Sequence, residues 1–143
     1  MNPGWGIALL RVSLGSVFLV HGLAGLFVGP GAAGLAAELA ARGFPAPGTL
    51  AWTALAIELL GGLALFVGWL VRWVAGVLFV EVLVVRFTSK LANGFLLDPA
   101  AGEWGYEYEL VLLAGLAALV LTGAGKLALD DWLLRRRAAG LVA

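Results

Sequence analysis

The chain has 143 residues, of which 62% are hydrophobic and only 13% are charged, and its mean hydropathy is +1.02. Soluble domains are nearer half apolar and a quarter charged, so this composition is that of an integral membrane protein. Nine basic and nine acidic side chains give zero formal net charge, which argues against a nucleic-acid partner. The sequence contains no cysteine, which excludes disulfides, iron–sulfur ligation and covalent c-type haem attachment by this chain.

Four apolar segments predict four membrane-spanning helices, on the basis of the roughly 30 Å thickness of the hydrocarbon core. No basic residues precede the first segment, and it is longer than a signal-peptide core, so we expect it to be retained. A tight turn at Gly68–Arg72 separates the second and third segments and indicates a helical hairpin. The third and fourth segments are short for full spans. The predicted spans are 4–28, 50–70, 71–87 and 108–121.

Two shorter segments predict helices that lie at the membrane surface. Residues 32–42 follow the first span and are bounded at both ends by glycine and proline. Residues 127–137 follow the fourth span and end in three arginines, which is typical of an interfacial helix. The predicted fold is therefore all-α: an integral membrane four-helix bundle with short interfacial helices after the first and fourth spans. One domain covers residues 1–143.

The basic residues predict how the chain is oriented. Arg72 lies in the hairpin turn and the arginine run 135–137 follows the last span, so the positive-inside rule places both on the cytoplasmic side. Arg42, Arg86 and Lys90 fall on the other side and do not follow the rule. We expect a multi-pass plasma-membrane protein with both termini in the cytoplasm.

Several ionisable residues lie within or at the ends of the predicted spans, where each needs a charged partner, a hydrated cavity or a function. Their depths follow from a rise of about 1.5 Å per helical residue. Arg11 falls in the inner half of the bundle. The others share the outer half: His21, Glu58, Glu81, Arg86 and Glu107.

Helical phase predicts which of these side chains face the interior. Arg11 lies on a stripe of glycines in the first span, which is typical of a close helix contact, and His21 lies at the edge of this stripe. Glu58 shares a face with small residues. In the fourth span Glu107 lines up with alanines and Glu109 with leucines. We therefore expect Glu107 to face inward and Glu109 to reach the lipid headgroups.

The predicted ligand- or proton-binding site is therefore His21 with Glu58 and Glu107. A histidine near carboxylates can move protons at physiological pH, and the same group could bind a quinone headgroup that enters from the lipid. A single histidine is too few for the usual zinc ligand sets, so we expect no metal.

The remaining buried charges, Arg11, Glu81 and Arg86, are interpreted as structural charges that fix helix register. Glu81 and Arg86 are separated by roughly 140° around an α-helix, which makes them poor partners for each other. Each is expected to find its counter-charge on another helix or another subunit. A pair between Arg11 and Glu81 is one such arrangement.

Short motifs follow one another along nearly the whole chain. In order they are Arg11, Leu14-Gly15, His21-Gly22, Gly43-Phe44-Pro45-Ala46-Pro47, Glu58-Leu59-Leu60-Gly61-Gly62, Gly68–Arg72, Asn93-Gly94-Phe95, Tyr106-Glu107-Tyr108 and Gly123–Asp130. In order and spacing these motifs resemble the DoxX family of small four-helix membrane proteins. One departure is Gly25, at a position where the family commonly carries lysine. Glu81 and Arg86 also lie outside the family pattern.

The resemblance implies a redox association. DoxX proteins and the similar DoxD proteins are linked to a thiosulfate:quinone oxidoreductase and to membrane complexes that handle oxidative stress. From this we expect an integral membrane subunit of a quinone-linked oxidoreductase or redox-stress complex, whose outer polar pocket takes a quinone or protons. No motif for another cofactor is recognisable in the sequence.

The expected partners are the lipid bilayer and either another membrane protein or a second copy of the chain, with no nucleic acid. Two alternative functions stay open from the sequence. The chain could be a non-catalytic accessory or scaffold subunit, in which buried charges serve packing and docking. It could also be a carrier of small molecules or ions that uses the same polar pocket.

Overall fold

The computed structural model describes residues 3–87, 90–91, 94–96 and 105–140. Every regular element in these ranges is helical, which confirms the predicted all-α class. Most of the predicted loop 88–105, including Asp98 and Glu103, lies outside the described residues. The helices are α1 Pro3–Phe27, α2 Gly31–Ala41, α3 Pro47–Val67, α4 Val71–Glu81, a π-helix Val82–Phe87 that continues α4, α5 Glu107–Thr122 and α6 Leu129–Gly140.

Two of these helices, α1 and α3, are long and apolar enough to cross a membrane. They coincide with the first two predicted spans. The continuous helix formed by α4 and the π-helix, and α5, fall at the third and fourth predicted spans and are shorter. Membrane helices are thus supported at the first two positions, and the four-span arrangement stays a prediction.

The most extensive helix contact joins α1 and α3. It depends on glycines, because a Cβ atom on Gly15 would lie 2.6 Å from the backbone nitrogen of Phe66. A Cβ on Gly62 would lie 2.6 Å from the backbone nitrogen of Leu19. Membrane helices associate through such close packing, since lipid tails are as apolar as leucine. The predicted glycine stripe of α1 is therefore a true helix contact.

Helices α2, α4 and α5 pack against this pair. Helix α4 packs on α3 and α5, α5 also contacts α1, and α2 lies against α3. The core lies between α1, α3, α4 and α5, each of which contributes buried apolar residues. These include Leu14, Phe18, Leu65, Leu78, Leu113 and Leu116.

Arg11 joins three segments of the chain through backbone hydrogen bonds. Its side chain is buried, with 1% exposure. Nη1 donates to the carbonyl oxygens of Leu65 at 2.7 Å and Phe66 at 2.9 Å, in the last turn of α3, where carbonyls lack helical partners. Nε and Nη2 donate to the loop that follows α5, at the carbonyl oxygens of Ala124 (3.0 Å), Lys126 (3.3 Å) and Leu127 (3.1 Å).

Asp130 closes the turn between α3 and α4. In this turn Gly68 and Leu70 both have positive φ, at 80° and 49°. The Asp130 carboxylate accepts hydrogen bonds from the backbone nitrogens of Leu70 at 2.9 Å and Val71 at 3.2 Å. Its own backbone nitrogen donates to the carbonyl of Gly68 at 3.0 Å. The carboxylate thus caps the first turn of α4, whose N–H groups have no helical partners.

We expect Gly62→Ala to destabilise the fold, because its methyl group would meet the backbone of α1. In an open helical position the same change would stabilise by about 1 kcal/mol through helix propensity. Gly6→Ala is the matched control, since a Cβ there meets nothing within 4 Å. Thermal unfolding in detergent, followed by circular dichroism, should show a lower midpoint for Gly62→Ala alone. Equal midpoints for both variants would contradict the close α1–α3 contact.

We expect Asp130→Ala to lower stability by about 1 kcal/mol, the usual cost of losing a helix cap. Asp131→Ala removes the same charge from the neighbouring position and serves as control. Thermal unfolding under the same conditions should separate the two variants. A similar loss in both would mean that general charge near Arg11, and not the cap on α4, is what stabilises this end.

Candidate functional site

Three buried side chains form an ionic cluster between α3, α4 and the π-helix. Arg86 donates from Nε to Oε1 of Glu58 at 2.7 Å, and its Nη2 contacts the same oxygen. Oε1 of Glu81 lies 3.8 Å from the same Nε. Glu58 is 0% exposed and Glu81 is 5% exposed. A single guanidinium therefore stands between two buried carboxylates.

The π-helix explains why Glu81 and Arg86 meet. In an α-helix, residues five apart point in different directions, so the expectation that these two are poor partners assumed regular helix. From Val82 to Phe87 the backbone is instead π-helical, and π-helical hydrogen bonds join residues five apart, which brings such residues near one face. The expectation was wrong for this reason.

A second ion pair extends the cluster to α5. Lys90 Nζ lies 2.5 Å from Oε1 of Glu109, and Glu109 is 1% exposed. Glu109 is also within electrostatic range of Arg86. The cluster thus brings together three carboxylates and two cations: Glu58, Glu81, Glu109, Arg86 and Lys90.

Four carboxylate oxygens of this cluster are buried without a hydrogen-bond partner among the described residues. They are Oε2 of Glu58, both oxygens of Glu81 and Oε2 of Glu109. Each unsatisfied buried polar group costs about 1–3 kcal/mol, and more when charged. Such groups in native proteins are normally served by water, an ion, a proton or a ligand. The cluster therefore has hydrogen-bonding capacity beyond what its described neighbours fill.

The structure reverses the expected facing of α5. Glu109 is buried beside Leu112 and Leu116, whereas Glu107 is only half-buried and Val111, on its face, is 69% exposed. The prediction that Glu107 faces inward and Glu109 reaches the headgroups is therefore wrong. A leucine-rich face suits a protein core and a lipid surface equally well, because the two environments are similarly apolar.

His21 lies at the edge of the cluster. It is exposed on α1, and its ring stacks on Tyr108 with 6.2 Å between centroids and 19° between planes. Glu58 and Arg86 are within electrostatic range of the imidazole. Of the predicted set, His21 and Glu58 thus share one site. The α5 residue that contacts the histidine ring is Tyr108, and not Glu107.

An apolar groove of about 640 Å³ opens between α3 and α4 beside this cluster. Its wall includes Ile57 of α3 and Gly76, Val77 and Val80 of α4. Glu81 also lines it and is the one carboxylate among the described lining residues. The groove therefore joins an apolar surface to one acidic side chain of the cluster.

Sequence reasoning missed the pair of Lys90 with Glu109 and the contact of Tyr108. The available signal was that Lys90 breaks the positive-inside rule. Lys90 lies on the predicted outer side, just beyond the third span, and a buried counter-charge explains its position there. Acidic residues at the start of the fourth segment were the candidates for that partner, and Glu109 takes this position. The residues Arg11, Glu81 and Arg86 were expected to be structural; Glu81 and Arg86 are placed in the site itself.

We expect Arg86→Met to destabilise the protein strongly, because it leaves Glu58 buried without its cation. Loss of one partner of a buried pair costs about 3–5 kcal/mol. Arg42→Met, which alters the exposed Glu38–Arg42 pair, should cost well under about 1 kcal/mol. Thermal unfolding in detergent should separate these two variants by many degrees. Similar midpoints would mean that Glu58 does not depend on Arg86.

Comparison with known proteins identifies the family. The DoxX family model matches residues 6–91, which include α1 to the π-helix. A relative from Bacillus subtilis (strain 168), named "Putative oxidoreductase CatD", is 35% identical over 138 residues, which cover 96% of this chain and 93% of the relative. No solved structure matches the chain significantly. With the two apolar helices, these matches support a membrane-associated, redox-related role. The chain belongs to the DoxX family.

Proposed function

We propose that the chain is an integral membrane subunit of a quinone-linked oxidoreductase or redox-stress complex, and that its charged cluster binds a quinone and protons. The observation that carries this proposal is the set of buried carboxylate oxygens without hydrogen-bond partners among the described residues. Ionisable groups inside a membrane protein are costly and usually mark substrate or proton pathways. The adjoining apolar groove supplies a surface that suits a lipid-soluble substrate.

In this proposal four helices cross the plasma membrane: α1, α3, α4 with its π-helix, and α5. Helices α2 and α6 lie at the surface. The hairpin turn with Arg72 and the arginine run 135–137 face the cytoplasm, together with both termini. Trp69 and Trp73, near the turn, are exposed, as tryptophans at a membrane interface commonly are. The cluster then lies in the outer half.

In this proposal the cluster residues supply the protons for quinone reduction, and a partner supplies the electrons. Reduction of a quinone to a quinol takes up two electrons and two protons. A partner redox protein is the electron donor in this proposal, and the buried carboxylates hold the protons. His21 is exposed at the edge of the cluster, and an imidazole is a group that can accept and release protons near physiological pH. The oxidoreductase name of the Bacillus subtilis relative supports a redox role.

We expect the purified protein in lipid nanodiscs to bind decylubiquinone saturably, and His21→Ala to weaken this binding about tenfold. Tenfold corresponds to about 1.4 kcal/mol, the order of one hydrogen bond. Ser13→Ala, at an exposed position of the same helix, should bind like the wild type. Quenching of tryptophan fluorescence measures the affinity, with empty nanodiscs as the blank.

Two results would argue against the proposed function. One is binding by the wild type that does not exceed partitioning into empty nanodiscs. The other is equal affinity of His21→Ala and Ser13→Ala, which would place the quinone away from His21.

A non-catalytic accessory subunit is the second candidate, and Arg11 favours it. The five hydrogen bonds of this arginine all go to backbone carbonyls, which supports a packing role for buried charge in this chain. If the cluster has the same purpose, a larger membrane partner or a second copy should co-purify with the chain. That partner should lose stability when the chain is deleted, and quinone should not bind.

A further inference from the structure

We infer that the groove between α3 and α4 is a lateral binding site for a lipid-soluble ligand with a carbonyl head, and that Glu81 donates a hydrogen bond to that head. This inference rests on the proposed function, because a quinone is such a ligand. It adds the location of the site, the route of entry and the residue that touches the ligand.

The groove has the size and surface of a ligand site. Its volume of about 640 Å³ lies within the usual range of roughly 300–1,000 Å³ for small-molecule pockets. Along α4 it extends from Arg72 to Val85, which is roughly 20 Å at the rise of an α-helix. Val77 and Val80 in its wall are more than half exposed, so the groove opens sideways toward the bilayer. A ligand with a long apolar tail can therefore enter from the lipid.

Glu81 is the carboxylate among the described residues of this mostly apolar wall. It is only 5% exposed, and neither of its oxygens has a hydrogen-bond partner among the described residues. Among the described residues Arg86 is its ion-pair partner, with Nε 3.8 Å from Oε1. A buried polar side chain without a partner, lining a cavity, points to a ligand that supplies the missing bond.

The charges around Glu81 indicate which of its two forms is present. Both short contacts of Arg86 go to Glu58. Glu81 lies 3.8 Å from the same guanidinium, so two carboxylates share one cation. Two buried carboxylates that share one guanidinium favour a state in which one of them stays protonated. Lys90 is already paired with Glu109 of α5. The pair of carboxylates therefore keeps one proton, and geometry assigns it to Glu81, since Glu58 holds the guanidinium.

Arg72, the other charged residue of the groove wall, does not change this assignment. It lies in the first turn of α4, roughly 14 Å from Glu81 along the helix axis at the α-helical rise. A protonated Glu81 is a hydrogen-bond donor in apolar surroundings. A carbonyl oxygen of the ligand satisfies this donor, whereas an alkyl chain cannot. Glu81 thereby selects ligands with a carbonyl head group, and the apolar remainder of the groove selects ligands with an apolar tail.

The test compares two pairs of variants in nanodiscs with decylubiquinone as the probe. Gly76→Leu fills the groove, and Gly6→Leu on α1 is its control, because a Cβ at either glycine meets nothing within 4 Å. Glu81→Gln keeps a donor and Glu81→Leu removes it. We expect Gly76→Leu and Glu81→Leu to weaken binding about tenfold or more. Gly6→Leu and Glu81→Gln should stay within about threefold of the wild type.

Infrared difference spectroscopy checks the protonated form directly, even if Glu81→Leu folds poorly. The C=O stretch of a buried carboxylic acid should shift when decylubiquinone binds, and the band should be lost in Glu81→Gln and kept in Glu109→Gln. Persistence of the band in Glu81→Gln would overturn the assignment of the proton.

The outcomes separate this inference from the proposed function. If decylubiquinone binds but Gly76→Leu and Glu81→Leu bind it equally well, the groove is not the site, while quinone binding stands. If decylubiquinone does not bind but a long-chain methyl ketone does, with the expected variant pattern, the groove stands and the quinone function falls. Equal displacement of the probe by a plain long-chain alkane would show a lipid-tail surface only and overturn the inference.

Discussion

The structure depends first on the buried guanidinium of Arg11. It holds the last turn of α3 and the loop after α5 by hydrogen bonds to backbone carbonyls. That loop leads directly to Asp130, which caps α4 from outside the helix. The hairpin of α3 and α4 is thus fixed at its turn by two charged side chains that bind main chain. Glu58 and Glu81 lie further along these same two helices.

The two groups of buried charge differ in how completely they are satisfied. Every nitrogen of the Arg11 guanidinium donates to a carbonyl, which is what a purely structural charge requires in a medium without water. In the cluster, Arg86 is paired, but four carboxylate oxygens are left without partners among the described residues. Helix register alone would be served by one carboxylate per cation. The extra acidic group beside the apolar groove is the observation that supports the proposed proton and ligand.

Much of the fold could be predicted from sequence, because helix ends and close contacts depend on local chemistry. The turn at Gly68 and the glycine stripe with Gly15 follow from residues that tolerate positive φ or backbone contact. The site was predicted only in part. Depth predicted that His21 and Glu58 lie near each other, and Glu58 is within electrostatic range of the imidazole. The choice between Glu107 and Glu109 failed, since apolarity does not distinguish core from lipid. The prediction that Glu81 and Arg86 are poor partners failed because helical phase assumes an unbroken α-helix.

The π-helix adds Glu81 to the ion pair of Glu58 and Arg86 within the charged cluster. In a regular α-helix the side chains of Glu81 and Arg86 would point in different directions. Arg86 could then reach Glu58 but would not lie near Glu81. The π-helical segment Val82–Phe87 brings both to one side. Such segments are rare, interrupt the regular hydrogen bonding, and occur frequently at functional sites. Register between α3 and α4 could be fixed without this irregularity. Its presence at the point where the groove meets the cluster is therefore most simply explained by a function for Glu81.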